Sequence, residues 1–469
     1  MNVSPSDPPA SLPRRIRHAW QRKGWLKPFR NAGILAIGGG AQGVIQLAAI
    51  AIASQALGAG GFGTLVLVDT VRRFVGGVLR LRAKETVMRF GARALQDDAP
   101  NGAFARMLSF AVWLDVLSAV AGASVILLSM GTLVHWLNIT PELADEARMY
   151  GLCVVFIALS GSAEAVLRLF DRFDLVALRN VIAPIIQLAG SALGLAVDGG
   201  LIFFLTVWFL AYAVARTSLV AGALRELWRH GRLRGLSLHP RHLAGPEPGV
   251  WRFAAGTNAM MILGKLRHHG ATLAVGALLD PAAAGLVHVA RRLGELPGKP
   301  VGKVLTPAIF PELARQTAAG KHRKRKKTVW RSTGIAGALG LTLFAILAVF
   351  GPSLLGTLFG PEFGDAYLPM VLFGVHGVLR TLTFAFGPLL MSAGRIRVLL
   401  GTRIVLTSLE LGLMFVLIQH IGPGGVPLAG IIAALLSASV VIPTARHELR
   451  RPRDQAPAQA APPATDSEV

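Results

Sequence analysis

One cysteine in 469 residues, Cys153, rules out an internal disulfide. It lies in an apolar run and reads as a small core residue. Charge is scarce as well: 16% of the chain is Asp, Glu, Lys or Arg, against about 25% in an ordinary soluble domain. Catalytic groupings are missing. Histidines are scattered, no Ser/His/Asp or Cys/His arrangement stands at workable positions, and no phosphate-binding P-loop pattern occurs. These gaps argue against an enzyme: no catalytic residue, no metal and no cofactor are expected. ATP-driven export would need a partner. The first apolar run is too long for a signal h-region and no A-x-A site in it is followed by a soluble domain, so no cleavable signal peptide is expected.

What the chain has is apolar length. Hydrophobic residues make up 53%, mean hydropathy is +0.54, and runs of about 20 apolar residues recur from end to end. In hydrocarbon the backbone must bond to itself. Runs this long exceed barrel strands, so they are helices. The expected fold class is all-α: a polytopic membrane protein of about 12 transmembrane helices in two pseudo-symmetric six-helix bundles around a central cavity. The spans are read near 32–56, 62–82, 107–135, 147–169, 175–197 and 201–223, then 252–278, 284–310, 333–355, 366–390, 398–419 and 426–445.

The net charge of +23 does not require nucleic acid. Positive residues gather in alternate loops. Those placed inside carry Arg82, Lys84, Arg89 and Arg93, then Arg172 and Arg179, then Arg225 to Arg241. Lys321 to Arg331, Arg395, Arg397 and the C-terminal arginines follow. Loops 57–61, 136–146, 198–200, 279–283, 356–365 and 420–425 contain no Lys or Arg. This alternation puts both termini in the cytoplasm of a bacterial inner membrane. Trp228, Trp251 and Trp330 fall at the inner belt and Trp136 at the outer. The run Lys321–Lys327 reads as a topology determinant, with a patch for membrane lipid headgroups as the alternative.

Three landmarks repeat. Pro141-Glu142-x-x-Asp145 returns as Pro361-Glu362-x-x-Asp365. Leu57-x(5)-Gly63 returns as Leu279-x(5)-Gly285. The inner end of the fourth span, from Arg168, aligns with the segment from Leu389. Shared spacing and topology indicate parallel repeats. The expected organisation is a basic segment at 1–30, a six-helix half at 31–224, a cytoplasmic linker at 225–250, a second half at 251–447 and a disordered tail at 448–469.

Charges inside spans are the candidate site. The centre of the seventh span holds Lys265 and Arg267, with no acid nearby in sequence, followed by His268 and His269. Adjacent on a helix, the two histidines are expected on different faces. Arg72, Arg73, Arg216, Arg291, Arg292 and Arg380 complete the expected cationic wall, which suits a pyrophosphate and acidic or hydroxyl-rich sugars. Asp69, Glu164 and Glu295 are the acids available for coupling or ion pairing. Asp69 with Arg72 or Arg73, and Glu295 with Arg291 or Arg292, have local ion-pair spacing. Arg80, Arg168, Lys299 and Lys303 lie near inner ends, where they snorkel to the interface. Gly38-Gly39-Gly40 suits close helix packing rather than phosphate binding.

Four stretches carry a family likeness: LGAGGFGTLVLVDTVRRFV from Leu57, VLRLFDRFDLVALRNVI from Val166, LLDPAAAGLVHVARRL from Leu278 and LFGPEFGDAYLPMVLF from Leu358. In order and spacing, over roughly 30–445, the chain resembles the Wzx-type polysaccharide-synthesis flippases of the multidrug/oligosaccharidyl-lipid/polysaccharide exporter superfamily. The resemblance implies translocation of an undecaprenyl-pyrophosphate-linked oligosaccharide from the cytoplasmic to the periplasmic leaflet. It also implies work alongside a polysaccharide polymerase and a chain-length regulator. Three other readings meet the same residues less well. A cation-coupled multidrug antiporter would carry an acid in its first helix, where this chain has Gln42 and Gln46. A lipid II flippase would have two further helices. A membrane-embedded glycosyltransferase or ligase would need a large outer loop.

Overall fold

In a computed structural model, described residues are 14–96, 102–299 and 305–450, apart from 234, 238, 240, 242, 244 and 246–248. Of the expected basic segment at 1–30 and tail at 448–469, residues 1–13 and 451–469 lie outside them, as does Lys303. Seventeen α-helices and no strand occur among the described residues. They are α1 (Arg14–Val78), α2 (Ala83–Thr86), α3 (Ala92–Gln96), α4 (Ala103–Trp136), α5 (Ala144–Gly151), α6 (Cys153–Leu159), α7 (Gly161–Leu169), α8 (Phe173–Ala196) and α9 (Leu201–Arg229). Then come α10 (Val250–Leu278), α11 (Pro281–Gly294), α12 (Thr306–Ala318), α13 (His322–Phe359), α14 (Tyr367–Thr383), α15 (Phe386–Ser392), α16 (Ile396–Ile421) and α17 (Gly425–Arg450).

Each expected span contains helix among its described residues, and the chain is an all-α polytopic membrane protein. Among the described residues, eight segments are long and apolar enough to cross a membrane. Two of them, Gly38–Leu95 and Val398–Leu449, are 58 and 52 residues long and each contain two expected spans. Large apolar side chains stand outward, among them Leu128 at 83% exposure and Val349 at 71%. Lipid, not water, suits such surfaces. Trp136, Trp228, Trp251 and Trp330 are all exposed.

Helix breaks do not follow proline alone. Pro184, Pro352 and Pro443 all sit inside continuous helices. α1 breaks at Gly58, whose φ of 64° is left-handed and favours glycine. The fourth expected span is three short helices, with joints at Leu152 and Ser160. The eighth and tenth are also interrupted.

The helices cluster into two compact units: Met1–Gly285 with Gly356–Phe363, and Leu286–Leu355 with Gly364–Val469. The first unit explains the repeated motifs. At the Gly58 break the Ala59 N–H donates to the Glu362 carboxylate at 2.7 Å. Gln55 Nε2 donates to the Leu358 carbonyl at 2.8 Å and the Thr357 carbonyl at 3.1 Å. The repeat-related place uses an amide again: Asn138 Nδ2 donates to the carbonyls of Gly276 (3.1 Å) and Leu279 (3.2 Å) at the end of α10. Gly63 and Gly285, the two glycines of the repeat, touch. A Cβ on Gly285 would stand 3.1 Å from the Gly63 Cα, and one on Gly63 would overlap the Pro281 carbonyl. Within this unit Val87, Phe90, Phe110 and Leu114 form one buried cluster. Phe104, Leu108, Val176 and Leu219 form another.

Candidate functional site

The second span of α1 is apolar except at Asp69, Arg72 and Arg73. Helical spacing of three and four brings both arginines to one carboxylate. Asp69 Oδ1 accepts from Arg72 Nη2 at 2.5 Å and from the Tyr150 hydroxyl at 2.6 Å. Its Oδ2 meets Arg73 Nε at 2.5 Å. Asp69 and Arg72 are each 3% exposed. Arg72 lies over the Tyr212 ring at 4.3 Å, and Arg73 Nη2 reaches the Tyr212 hydroxyl at 3.4 Å. One carboxylate serves two guanidinium groups, so the cluster keeps a net positive charge. Both arginines border a cavity.

That cavity is about 460 Å³ and lies wholly within the first unit. Seven cations line it: Arg72, Arg73, Arg80, Arg82, Arg179, Arg216 and Lys265. Gln42, Gln46, Asn180, Gln187 and Tyr212 add neutral hydrogen-bonding groups, and His268 and His269 complete the polar wall. Among the described residues no carboxylate lines it. Unit charges 4 Å apart interact by about 4 kcal/mol at an effective dielectric near 20. Seven like charges around one space therefore favour an anion within it.

Each cation has a local reason for its place. Gly77 lets α10 approach: the Lys265 stem lies where a Gly77 side chain would begin, with Cδ 3.1 Å from the ideal Cβ. Lys265 is half-buried and forms no ion pair among the described residues. Arg216, on α9, donates from Nη1 to Ser160 Oγ at 3.4 Å, at the broken fourth span. Arg179 lies in the second turn of α8, 3.5 Å from Glu164. Helix α1 ends at Val78, and Arg82, in the left-handed region at φ 55°, starts the next turn. This bend brings Arg80 and Arg82 to the cavity. Arg80, expected to snorkel, is thus a lining residue, because the helix on which that expectation was drawn has already ended.

Of the expected wall, the cavity gathers Lys265, Arg72, Arg73 and Arg216. Arg267 is half-buried on α10 and does not line it. Arg291, Arg292, Glu295 and Arg380 belong to the second unit. There Arg291 lies over the Phe373 ring at 5.2 Å, and the Arg292 carbonyl accepts from Lys299 Nζ at 3.2 Å. Glu164 is buried and holds three cations: Arg168 at 2.8 Å, and Lys84 and Arg179 at 3.5 Å. His268 and His269 both border the cavity, although the sequence put them on different faces. Neighbours 100° apart on a helix share one wall when the space before it is broad.

Two kinds of site residue escaped the sequence reading. Arg82 and Arg179 were counted as loop charges. Asp115 is the one carboxylate in the otherwise largely apolar α4. It is 2% exposed and accepts the Ser162 N–H at 2.7 Å. A lone carboxylate in a spanning helix was the available signal.

Comparison with known proteins fits this arrangement. The sequence pattern of the family described as "Polysaccharide biosynthesis protein" matches residues 103–368, more than half of the chain. Inner membrane protein YghQ of Escherichia coli (strain K12) is 26% identical over 356 residues, 75% of this chain and 98% of that protein. Lipopolysaccharide biosynthesis protein WzxC of the same organism is 23% identical over 49% of this chain. That match spans 44% of WzxC. Among solved structures, the lipid II flippase MurJ in an inward closed conformation superposes with a TM-score of 0.70 at 12% identity, covering 88% of each chain. An inward-facing MATE-family multidrug resistance transporter of the MOP superfamily gives 0.61 at 15% identity, covering 87% of this chain and 94% of that one. At these identities the structures speak for the fold alone. The chain belongs to the polysaccharide biosynthesis protein family and is built on the fold shared by MOP-superfamily transporters and the flippase MurJ.

Proposed function

We propose that this protein is an inner-membrane flippase. Its cargo is an undecaprenyl-pyrophosphate-linked oligosaccharide, moved from the cytoplasmic to the periplasmic leaflet for surface polysaccharide such as O-antigen, capsule or exopolysaccharide. The carrying observation is the cavity: seven cations, and no carboxylate among its described lining. A diphosphate offers the oxygens that guanidinium forks match in two places, while a Lys serves as a mobile point charge. The amides of Gln42, Gln46, Asn180 and Gln187 suit sugar hydroxyls. The surplus of positive charge also suits acidic sugars.

Alternating access would move the head group across while the lipid tail stays in the bilayer. Both termini would face the cytoplasm. A polymerase and a chain-length regulator would take the product on the far side, and no step of the cycle calls on chemistry by the chain itself. A carrier of cationic drugs fits poorly, because no described acid lines the cavity and the first span presents Gln42 and Gln46.

The test is complementation of a strain lacking the gene. Arg216→Ala combined with Lys265→Ala, inserted at normal levels, should give little surface polysaccharide and accumulate undecaprenyl-linked precursor. Full restoration by that variant would reject the cavity as the substrate site.

A further inference from the structure

Asp115 is a buried carboxylate that neither the cavity lining nor the ion pairs described above employ. It stands within α4, and among the described residues it has no cation at ion-pairing distance. A buried acid in an apolar helix is costly unless its oxygens are bonded. What it bonds is the start of α7: the Ser162 N–H donates to Oδ2 at 2.7 Å, and the Ser162 hydroxyl and the Gly161 N–H also serve the carboxylate.

The partner lies at a joint. α6 ends at Leu159 and α7 begins at Gly161, with Ser160 at φ −91° and ψ 2°. A new helix leaves its first N–H groups without partners, and a Ser in the capping position ordinarily serves them. Here the Ser160 hydroxyl donates back to the Ile157 carbonyl at 2.8 Å and makes no cap. Asp115 supplies the cap from a different span, 47 residues earlier. Ser118, one turn along α4, does similar work, accepting the Leu81 N–H at 2.9 Å where α1 has just ended. The same face of α4 thus holds two backbone joints.

Both joints carry cavity cations. Arg216 donates to Ser160 Oγ. Arg80 follows the end of α1, and its Nη2 is buried without a hydrogen-bond partner among the described residues. Arg80 Nη2 and Asp115 Oδ1 converge on Gly161, 3.2 Å and 2.5 Å from where a Cβ would stand.

We propose that Asp115 is a positioning residue of the anion site: by capping α7 across spans it fixes the Ser160–Gly161 joint, and with it the places of Arg216 and Arg80. This rests on the reading of the cavity as an anion site.

The full-length protein in detergent gives two readouts: hydrogen exchange at the amides of 160–164, and affinity for inorganic pyrophosphate. Asp115→Leu should deprotect the Ser162 amide and weaken pyrophosphate by about tenfold, as expected for loss of one charge-assisted contact. Combining it with Arg216→Ala should weaken binding no further than the worse single variant, because the displacement of Arg216 is already part of what Asp115→Leu costs. Asp115→Asn keeps an acceptor oxygen and should rescue both readouts. Ser160→Ala spares the cap, so it should retain amide protection while weakening pyrophosphate; it serves even if Asp115→Leu does not accumulate. Unchanged protection in Asp115→Leu, multiplying losses in the double variant, or an Asp115→Asn as weak as Leu would each overturn the proposal. No binding by the wild-type protein would instead overturn the anion-site reading, and this inference with it, whatever the exchange shows.

Discussion

Single residues decide the character of the cavity. Asp69 is shared by Arg72, Arg73 and Tyr150, and removing its charge leaves Arg72 buried without its partner. Breaking a buried pair on one side costs about 3–5 kcal/mol. Asp69→Ala should therefore lower the thermal unfolding midpoint of the purified protein markedly, and an unchanged midpoint would show the pair to be dispensable. Lys265 calls for a different readout. It forms no ion pair among the described residues, so Lys265→Ala should leave the melting midpoint nearly untouched while reducing surface polysaccharide. Lys265→Glu should reduce it further, because an acid would then face the anion. Equal polysaccharide from both variants would remove Lys265 from the site. The sequence exposed Asp69, Arg72 and Lys265 readily, because charge in a spanning segment is expensive. It hid Arg80 and Asp115. The place of Arg80 depends on where α1 stops, and the partner of Asp115 lies on another span.

Elements were legible as far as lipid dictates them. An apolar run must be helical, so each of the twelve expected spans contains helix among its described residues. The joints inside spans were not legible. Leu152 and Ser160 break the fourth span without proline, and Pro184 breaks nothing. Such joints depend on partners from other helices, as at Ser162, and local spacing does not report those. The repeated glycines were visible as a motif, but their reason appears only in contact. Gly63 meets Pro281 and Gly285 so closely that Gly63→Ala would force the backbones apart. Membrane-inserted protein should fall sharply in that variant, assessed by the monodisperse fraction after extraction. Gly60→Ala, where a Cβ would meet nothing within 4 Å, is the control. Equal recovery of the two variants would mean that the close approach is not needed.

For the whole molecule, the positive loops and the cationic cavity draw on one excess of charge, and Arg82 and Arg179 belong to both. The loops expected outside contain no Lys or Arg, and the positive residues between spans gather in the loops expected inside. The cavity cations come from α1, α8, α9 and α10 and from the turn after α1. Family and general fold could be read from the order of motifs. The wall of the cavity could not, since its residues lie far apart in the chain and meet only after folding.

The most direct measurement is flipping in proteoliposomes. The same short oligosaccharide is presented on undecaprenyl pyrophosphate and on an uncharged lipid carrier, and its appearance in the far leaflet is followed. The account predicts that only the pyrophosphate-linked form crosses at a protein-dependent rate, and that Arg216→Ala with Lys265→Ala abolishes that rate. Equal transfer of both lipids, or full transfer by the double variant, would contradict it.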